Sequence, residues 1–317
     1  YGSADVLKCE EVAKPTPKDN EVLIRVRAAS INPLDWRMMK GTPSLLRIFF
    51  GFRKPRHGRP GRDVAGQLEA VGRNVTQFKA GDDVFGACDS TIAEYTCARE
   101  SAVAIKPEKL TFEQAASIPV AGLSALQGLR DKGKVQPGQK VLINGAAGGV
   151  GTFAVQLAKY FGAHVTGVCS TRNVEFVKSI GADAVIDYTK QDFTEREERY
   201  DVILECVGNK SVAECRHVLN ANGRHIMVGA AHDPTLIDLF APLIKAFLLS
   251  PFSSRKSIPF IAKPREEDLE LLGDLIASGK LTPVIDRSYN LSEVPAAMRY
   301  LEAGHARGKV VIVVSSQ

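Results

Sequence analysis

Apolar and polar positions follow two different rhythms along the chain. Before Leu110 they come in short β-rich runs broken by turn residues, at 22–27, 64–72 and 80–85, the last opening on Ala80-Gly81-Asp82-Asp83. Strands at this spacing, with little helix between them, predict a small barrel-like β domain. Past Leu110 the rhythm changes. Thr111, with Gln114 three residues later, reads as a capped helix start. From Val141 onward strands are expected at 141–144, 164–169, 184–187, 202–205 and 224–228, with helices at 149–161, 174–180 and 210–219. Short β runs separated by helices predict a parallel, doubly wound α/β sheet.

The stretch 236–260 is apolar without a clean period. It stays open between core packing, a lid over a lipophilic substrate, a peripheral membrane contact and part of a dimer interface. Beyond it, 266–278 reads as a helix with a charged face, stopped by Gly279, and 310–314 as a buried strand. The expected layout is a β-rich domain over 1–112, an inserted α/β domain over 113–262, and a return to the first domain over 263–317.

Composition adds little to this picture. The chain has 317 residues, 44% hydrophobic and 24% charged, which suits an ordinary globular protein with a sizeable core. No apolar run reaches the roughly 20 residues that span a bilayer. The net charge of +5 is concentrated in one run holding Arg47, Arg53, Lys54, Arg56, Arg59 and Arg62. That run is a solvated loop or a contact for an anionic surface; its aromatics match no base-reading motif, so no nucleic-acid partner is expected. The six cysteines form no C-x-x-C pair, and no signal peptide is visible. Both point to a reducing, cytoplasmic setting, with an organelle the alternative if residues precede Tyr1.

The chemistry begins at Asn144-Gly145-Ala146-Ala147-Gly148-Gly149-Val150-Gly151, between a predicted strand and a predicted helix. Small residues let the backbone approach a pyrophosphate, and a helix N-terminus offers free N–H groups and a partial positive charge. Ala147, Gly148, Gly149 and Val150 are therefore candidate dinucleotide contacts, although Ala146 stands where the strict G-x-G-x-x-G pattern has its first glycine. An NAD site has an acid about 20 residues on, for the ribose 2′-hydroxyl. That window here is Cys169-Ser170-Thr171-Arg172-Asn173, with no acid and one guanidinium. Ser170, Arg172 and Asn173 suit a 2′-phosphate, so NADPH is the expected cofactor.

Further segments bear a resemblance along nearly the whole chain. Ala29-Ser30-Ile31-Asn32-Pro33-Leu34-Asp35-Trp36, Pro60-Gly61-Arg62-Asp63-Val64-Ala65-Gly66, the glycine turn, residues 179–188 and Gly304-His305-Ala306-Arg307-Gly308-Lys309 are similar to the quinone-oxidoreductase branch of the medium-chain dehydrogenase/reductase superfamily. The resemblance implies a GroES-like β-rich catalytic domain beside a Rossmann domain, with NADPH in the cleft and a homodimer. It puts Gly148, Gly149 and Val150 at phosphates, Ser170 and Tyr188 at the 2′-phosphate, and Val207, Gly229 and Ala231 on the nicotinamide side. It has His305 and Arg307 closing over the cofactor. Zinc-dependent relatives carry Cys where Asn32 stands, Gly-His-Glu where Gly61-Arg62-Asp63 stands, and a four-cysteine lobe this chain lacks. No metal is therefore expected.

Without a metal, the oxygen that gains charge during hydride transfer needs hydrogen-bond donors. The resemblance places Asn32 as such a donor and Asp35 as an orienting group; read alone, Asn32-Pro33 starts a turn and Asp35 caps it. The expected activity is hydride transfer from NADPH to a quinone or an α,β-unsaturated carbonyl, on a small lipophilic substrate. An enoyl-thioester reductase and an NADPH-binding sensor or scaffold are the alternatives.

Overall fold

The computed structural model describes residues 1–42, 47, 51–53, 58–229 and 254–314. The chain divides into two compact units, Tyr1–Val120 with Lys263–Gln317, and Ala121–Ala262.

The first unit is built on β1, Glu21–Ile31, whose side chains are almost all buried. That pattern follows from its position. β1 pairs antiparallel with β2 (Asp63–Val71), β4 (Tyr95–Arg99) and β13 (Lys309–Val313). β3 (Asp83–Ala87), β5 (Val103–Ile105) and β12 (Ile285–Asn290) complete a seven-stranded mixed sheet, ordered β12-β13-β1-β2-β3-β5 with β4 on β1. Val22, Ile24, Val64, Val84, Val310 and Ile312 join Trp36, Met39 and Met298 in one core cluster. The helices Pro33–Lys40 and Val294–Glu302 supply those last three residues.

β4, β5 and β12 are absent from the expected elements, as are these two helices. β5 has three residues, and β12 is the polar run Ile285-Asp286-Arg287-Ser288-Tyr289-Asn290, with β13 its one strand neighbour among the described residues. Neither carries a pattern of its own. The first helix hid behind Asn32-Pro33, yet proline is favoured at the first helical position, where its missing N–H has no partner to lose. Gly41, at φ 63°, ends that helix in the left-handed region.

The second unit holds a parallel sheet: β6 (Lys140–Asn144), β7 (His164–Cys169), β8 (Ala184–Asp187), β9 (Tyr200–Glu205), β10 (Leu219–Met227) and β11 (Lys256–Pro259). The spatial order is β11-β10-β9-β6-β7-β8. Counted from β6, this is the 3-2-1-4-5-6 arrangement of the Rossmann fold, and strand order reverses between β6 and β9. Leu142, Val168, Ile203, Cys215 and Leu219 pack one core cluster of this unit. The helix expected at 210–219 is shorter, Val212–His217, because Leu219 already pairs with Tyr200 at the start of β10. Of the apolar stretch 236–260, residues 256–259 form β11; residues 236–253 lie outside the described residues. Among the described residues no helix is long and apolar enough to cross a membrane.

Candidate functional site

In the second unit the glycine turn connects β6 to the helix Gly149–Tyr160 at the point where strand order reverses. Three glycines do three different things there. Gly145 adopts φ +85°, the left-handed conformation that L side chains avoid, and makes the tight turn. That role falls one residue before the Ala146 position the strict pattern assigns to it. At Gly148 an added Cβ would meet nothing nearer than Gly145 O at 3.5 Å, so bare backbone faces open space at the helix start. At Gly151 an added Cβ would lie 2.1 Å from Gly145 O and 2.7 Å from Ala146 Cα. Turn, approach and close packing are the three tasks such glycines perform around a pyrophosphate.

The turn is held from β9. Asn144 Nδ2 donates to both carboxylate oxygens of Glu205, at 2.9 and 2.8 Å, and to Asn209 Oδ1 at 2.9 Å. Glu205 Oε1 also accepts from the Val207 and Gly208 backbone N–H groups, each at 2.8 Å. Burial raises the Glu205 pKa against these donors. Sequence reading passed over both residues; an acid and an amide ending two apolar strands were the available signal. Gly229 donates to Glu205 O at 3.0 Å, and a Cβ there would strike Cys206 O, so Gly229 and the partly exposed Val207 share one tightly built loop. Ala231 lies outside the described residues.

At the end of β7, Ser170 is half-buried and Arg172 exposed, while Asn173 is turned inward with its Nδ2 donating to Ser170 Oγ at 3.3 Å. Tyr188 is largely exposed, its N–H donating to Cys169 O at 3.0 Å. The nearby acid is Asp187, at the end of β8. It accepts from Thr171 Oγ1 at 2.6 Å and Thr189 Oγ1 at 2.8 Å, and Lys190 Nζ stands 3.5 Å away. The threonine hydroxyls hold its carboxyl down to about 2.

In the first unit, register creates a buried polar group. β1 pairs Ser30 with Asp63 on β2 and Ile31 with Val310 on β13, which brings the end of β1 to the starts of β2 and β13. Asp63 Oδ2 accepts from Ser30 Oγ at 2.7 Å, Asn32 Nδ2 at 2.9 Å and Lys309 Nζ at 2.9 Å; Oδ1 accepts from the Val120 N–H at 2.7 Å. Lys309 Nζ also donates to Asn32 Oδ1 at 2.6 Å. The Asn32 amide is thus fixed at both ends, leaving one N–H of its two. Asp35 orients the same residue from the backbone side: Oδ2 accepts from Asn32 N at 2.7 Å and Oδ1 from Gly61 N at 3.1 Å. Burial pushes its carboxyl up to about 6 against those two bonds. A cavity of about 220 Å³ opens alongside, with Asp35, Met38, Met39, Pro60 and Arg62 in its wall. Asp63 and Lys309 escaped the sequence reading as site residues, although both stand in the quoted motifs. His305 and Arg307 occupy the exposed turn before β13, where the Arg307 N–H donates to Asp286 Oδ2 at 3.1 Å.

A glycine cradle at the reversal point of a Rossmann sheet, carried with a mixed β unit in one chain, defines the nucleotide-dependent dehydrogenase and reductase class. Residues 18–127 match the alcohol dehydrogenase GroES-like domain and residues 180–312 the zinc-binding dehydrogenase family. The chain is 35% identical to the chloroplast envelope quinone oxidoreductase homolog of Arabidopsis thaliana, over 98% of this chain and 95% of the relative. It is 33% identical to the chloroplastic NADPH-dependent alkenal/one oxidoreductase of the same plant, over 98% of this chain and 77% of the relative. The solved quinone oxidoreductase from Coxiella burnetii superimposes with a TM-score of 0.89 at 34% identity, over 99% of this chain and 97% of that one. The chain belongs to the quinone-oxidoreductase branch of the medium-chain dehydrogenase/reductase family.

Proposed function

We propose that this protein is an NADPH-dependent reductase acting on quinones or on the activated double bonds of enones and alkenals. The observation that carries the reading is the cradle at the switch point. Gly148 leaves the helix start open by carrying no side chain, while the end of β7 offers Ser170 and Arg172 and no carboxylate. Asp187, the competing acid, is engaged by two threonines and faced by Lys190. A dianionic 2′-phosphate suits these groups, and NAD would lack its usual ribose partner. An alkenal/one oxidoreductase among the relatives is described as NADPH-dependent, which supports the same choice.

Bound NADPH supplies the hydride. The chain's own part is to seat the phosphates on Gly148, Gly149 and Val150 and to present Val207 and Gly229 toward the nicotinamide. Tyr188 borders the 2′-phosphate; His305 and Arg307 come to the cofactor through the resemblance alone. Asn32 offers its remaining N–H to the substrate oxygen that gains charge, with Lys309, Asp63 and Asp35 fixing that amide. No resident acid is required. Water delivers the proton, a step whose missing catalysis amounts to about 10²–10⁴-fold. Asn32 and Arg62, at two of the positions that hold zinc in metal-dependent relatives, supply an amide and a guanidinium, neither of which is a zinc ligand. A homodimer and a small lipophilic substrate complete the reading.

Calorimetric titration tests it. NADPH is expected to bind at least about tenfold tighter than NADH, as one charge-assisted contact to the 2′-phosphate implies. NADPH oxidation should then respond to quinones and enones ahead of enoyl thioesters. Equal affinity for NADH, or no nucleotide binding, overturns the proposal.

A further inference from the structure

One buried polar cluster of the second unit takes no part in that reading. His225, near the end of β10, is 1% exposed, and neither ring nitrogen has a hydrogen-bond partner among the described residues. An imidazole removed from water without a partner bears its full desolvation penalty, which calls for an occupant beside it. Cys215, fully buried on the helix Val212–His217, and Glu205, ending β9, face it. One ligand atom from each of the three residues lies within 4.8 Å of the others.

We infer that Glu205, Cys215 and His225 form a three-ligand binding site for a zinc-type divalent cation, with a water completing the tetrahedron. Thiolate, imidazole and carboxylate are the donor set zinc accepts, and they arrive from three different elements. Bonds of about 2.0–2.3 Å in a tetrahedron put ligand atoms about 3.4–3.7 Å apart. Closing from 4.8 Å therefore asks for about 1.1–1.4 Å of movement at most, within reach of the Cys215 and His225 side-chain torsions. Glu205 is already oriented. Its Oε1 takes N–H groups from Asn144, Val207 and Gly208, whereas Oε2 takes only the Asn144 amide among the described residues and keeps a lone pair.

Arg216 is the opposing element. Its Nε donates to Ser257 Oγ at 3.3 Å, and Ser257 pairs with His225 across β10 and β11. The two anionic ligands neutralise a divalent ion, so the guanidinium then faces a site without net charge. Because the same Glu205 carboxylate holds Asn144 and the Val207–Gly208 loop, an ion here would brace the nucleotide turn from behind. Zinc relatives place cysteines close together in sequence; ten residues separate each member of this set, which is why spacing does not reveal it.

The test uses the full-length protein, stripped with a chelator and titrated with Zn²⁺ or Co²⁺ in the absence of nucleotide, so its outcome is independent of the cofactor reading. One ion per chain by elemental analysis is expected, with cobalt giving intense visible bands of a tetrahedral site and a near-ultraviolet thiolate charge-transfer band. Cys215→Ala should abolish the charge-transfer band. His225→Phe, which refills the space with an apolar ring, should weaken zinc binding at least about tenfold. Failure of the wild-type protein to take up a stoichiometric ion overturns the site, whatever the variants do. So does a cobalt spectrum without the thiolate band, or unchanged uptake by both variants when each melts cooperatively.

Discussion

Lys309 places its ammonium nitrogen 2.9 Å from Asp63 Oδ2, and both side chains are all but sealed from water, 4% and 0% exposed. An ion pair in that setting gains little over an apolar pair, but removing one partner strands the other charge. Lys309→Met should therefore destabilise the protein by about 3–5 kcal/mol in urea unfolding. Adding Asp63→Asn to that variant should recover most of the loss. Equal stability of the single and double variants would show that Ser30, Asn32 and the Val120 N–H already satisfy the carboxylate.

Gly148 and Gly151 separate stability from binding. Gly151→Ala forces a methyl to 2.1 Å from a backbone carbonyl, and overpacking of this kind costs about 1–3 kcal/mol. Gly148→Ala meets nothing inside 3.5 Å and should unfold within about 0.5 kcal/mol of the wild type. Its nucleotide affinity should nonetheless fall, because the methyl occupies the line of phosphate approach. Thermal melts and NADPH calorimetry on the same two variants check both halves.

Asp35 predicts a pH signature. Its carboxyl is raised by burial from the ordinary 3.8 to about 6, so between those values the folded protein holds a proton that the unfolded chain has released. Stability from this group is present at low pH and declines as pH rises from about 4 to 6, by on the order of 3 kcal/mol, then stays level. Asp35→Asn should remove that decline from the variant's own profile, so that the wild-type-minus-variant difference in unfolding free energy falls across the window. A difference profile that is flat, or that rises through it, contradicts the assignment.

Arg172 is expected to read the 2′-phosphate. Arg172→Ala should raise the Kd for NADPH about tenfold or more while leaving that for NADH unchanged, the mark of a contact to the extra phosphate. Parallel loss for both nucleotides would place Arg172 elsewhere on the cofactor or in the loop's own structure.

Local patterning was enough for the elements whose whole length obeys one rule. The parallel strands β6 to β9 are near-continuous apolar runs because helices cover such sheets on both faces, and the glycine turn announces itself because only small residues tolerate its conformations. β5 and β12 were illegible for the opposite reason. Three residues hold no period, and a polar strand at the edge of the described sheet has no apolar face to display.

The same division runs through the functional residues. By itself the sequence determined the two-domain α/β plan, the cradle at Gly148 and the missing acid after β7, since each depends on residues adjacent along the chain. Only the tertiary structure decided that Lys309 meets Asp63 and Asn32, that Asn144 is held by Glu205 across the sheet's reversal point, and that Cys215 and His225 come together beside Glu205. None of these partners is adjacent in sequence; strand register selects them, and for Cys215 the packing of its helix. A shift of one residue in β2 or β13 would turn each buried charge to the other face and leave it unpaired.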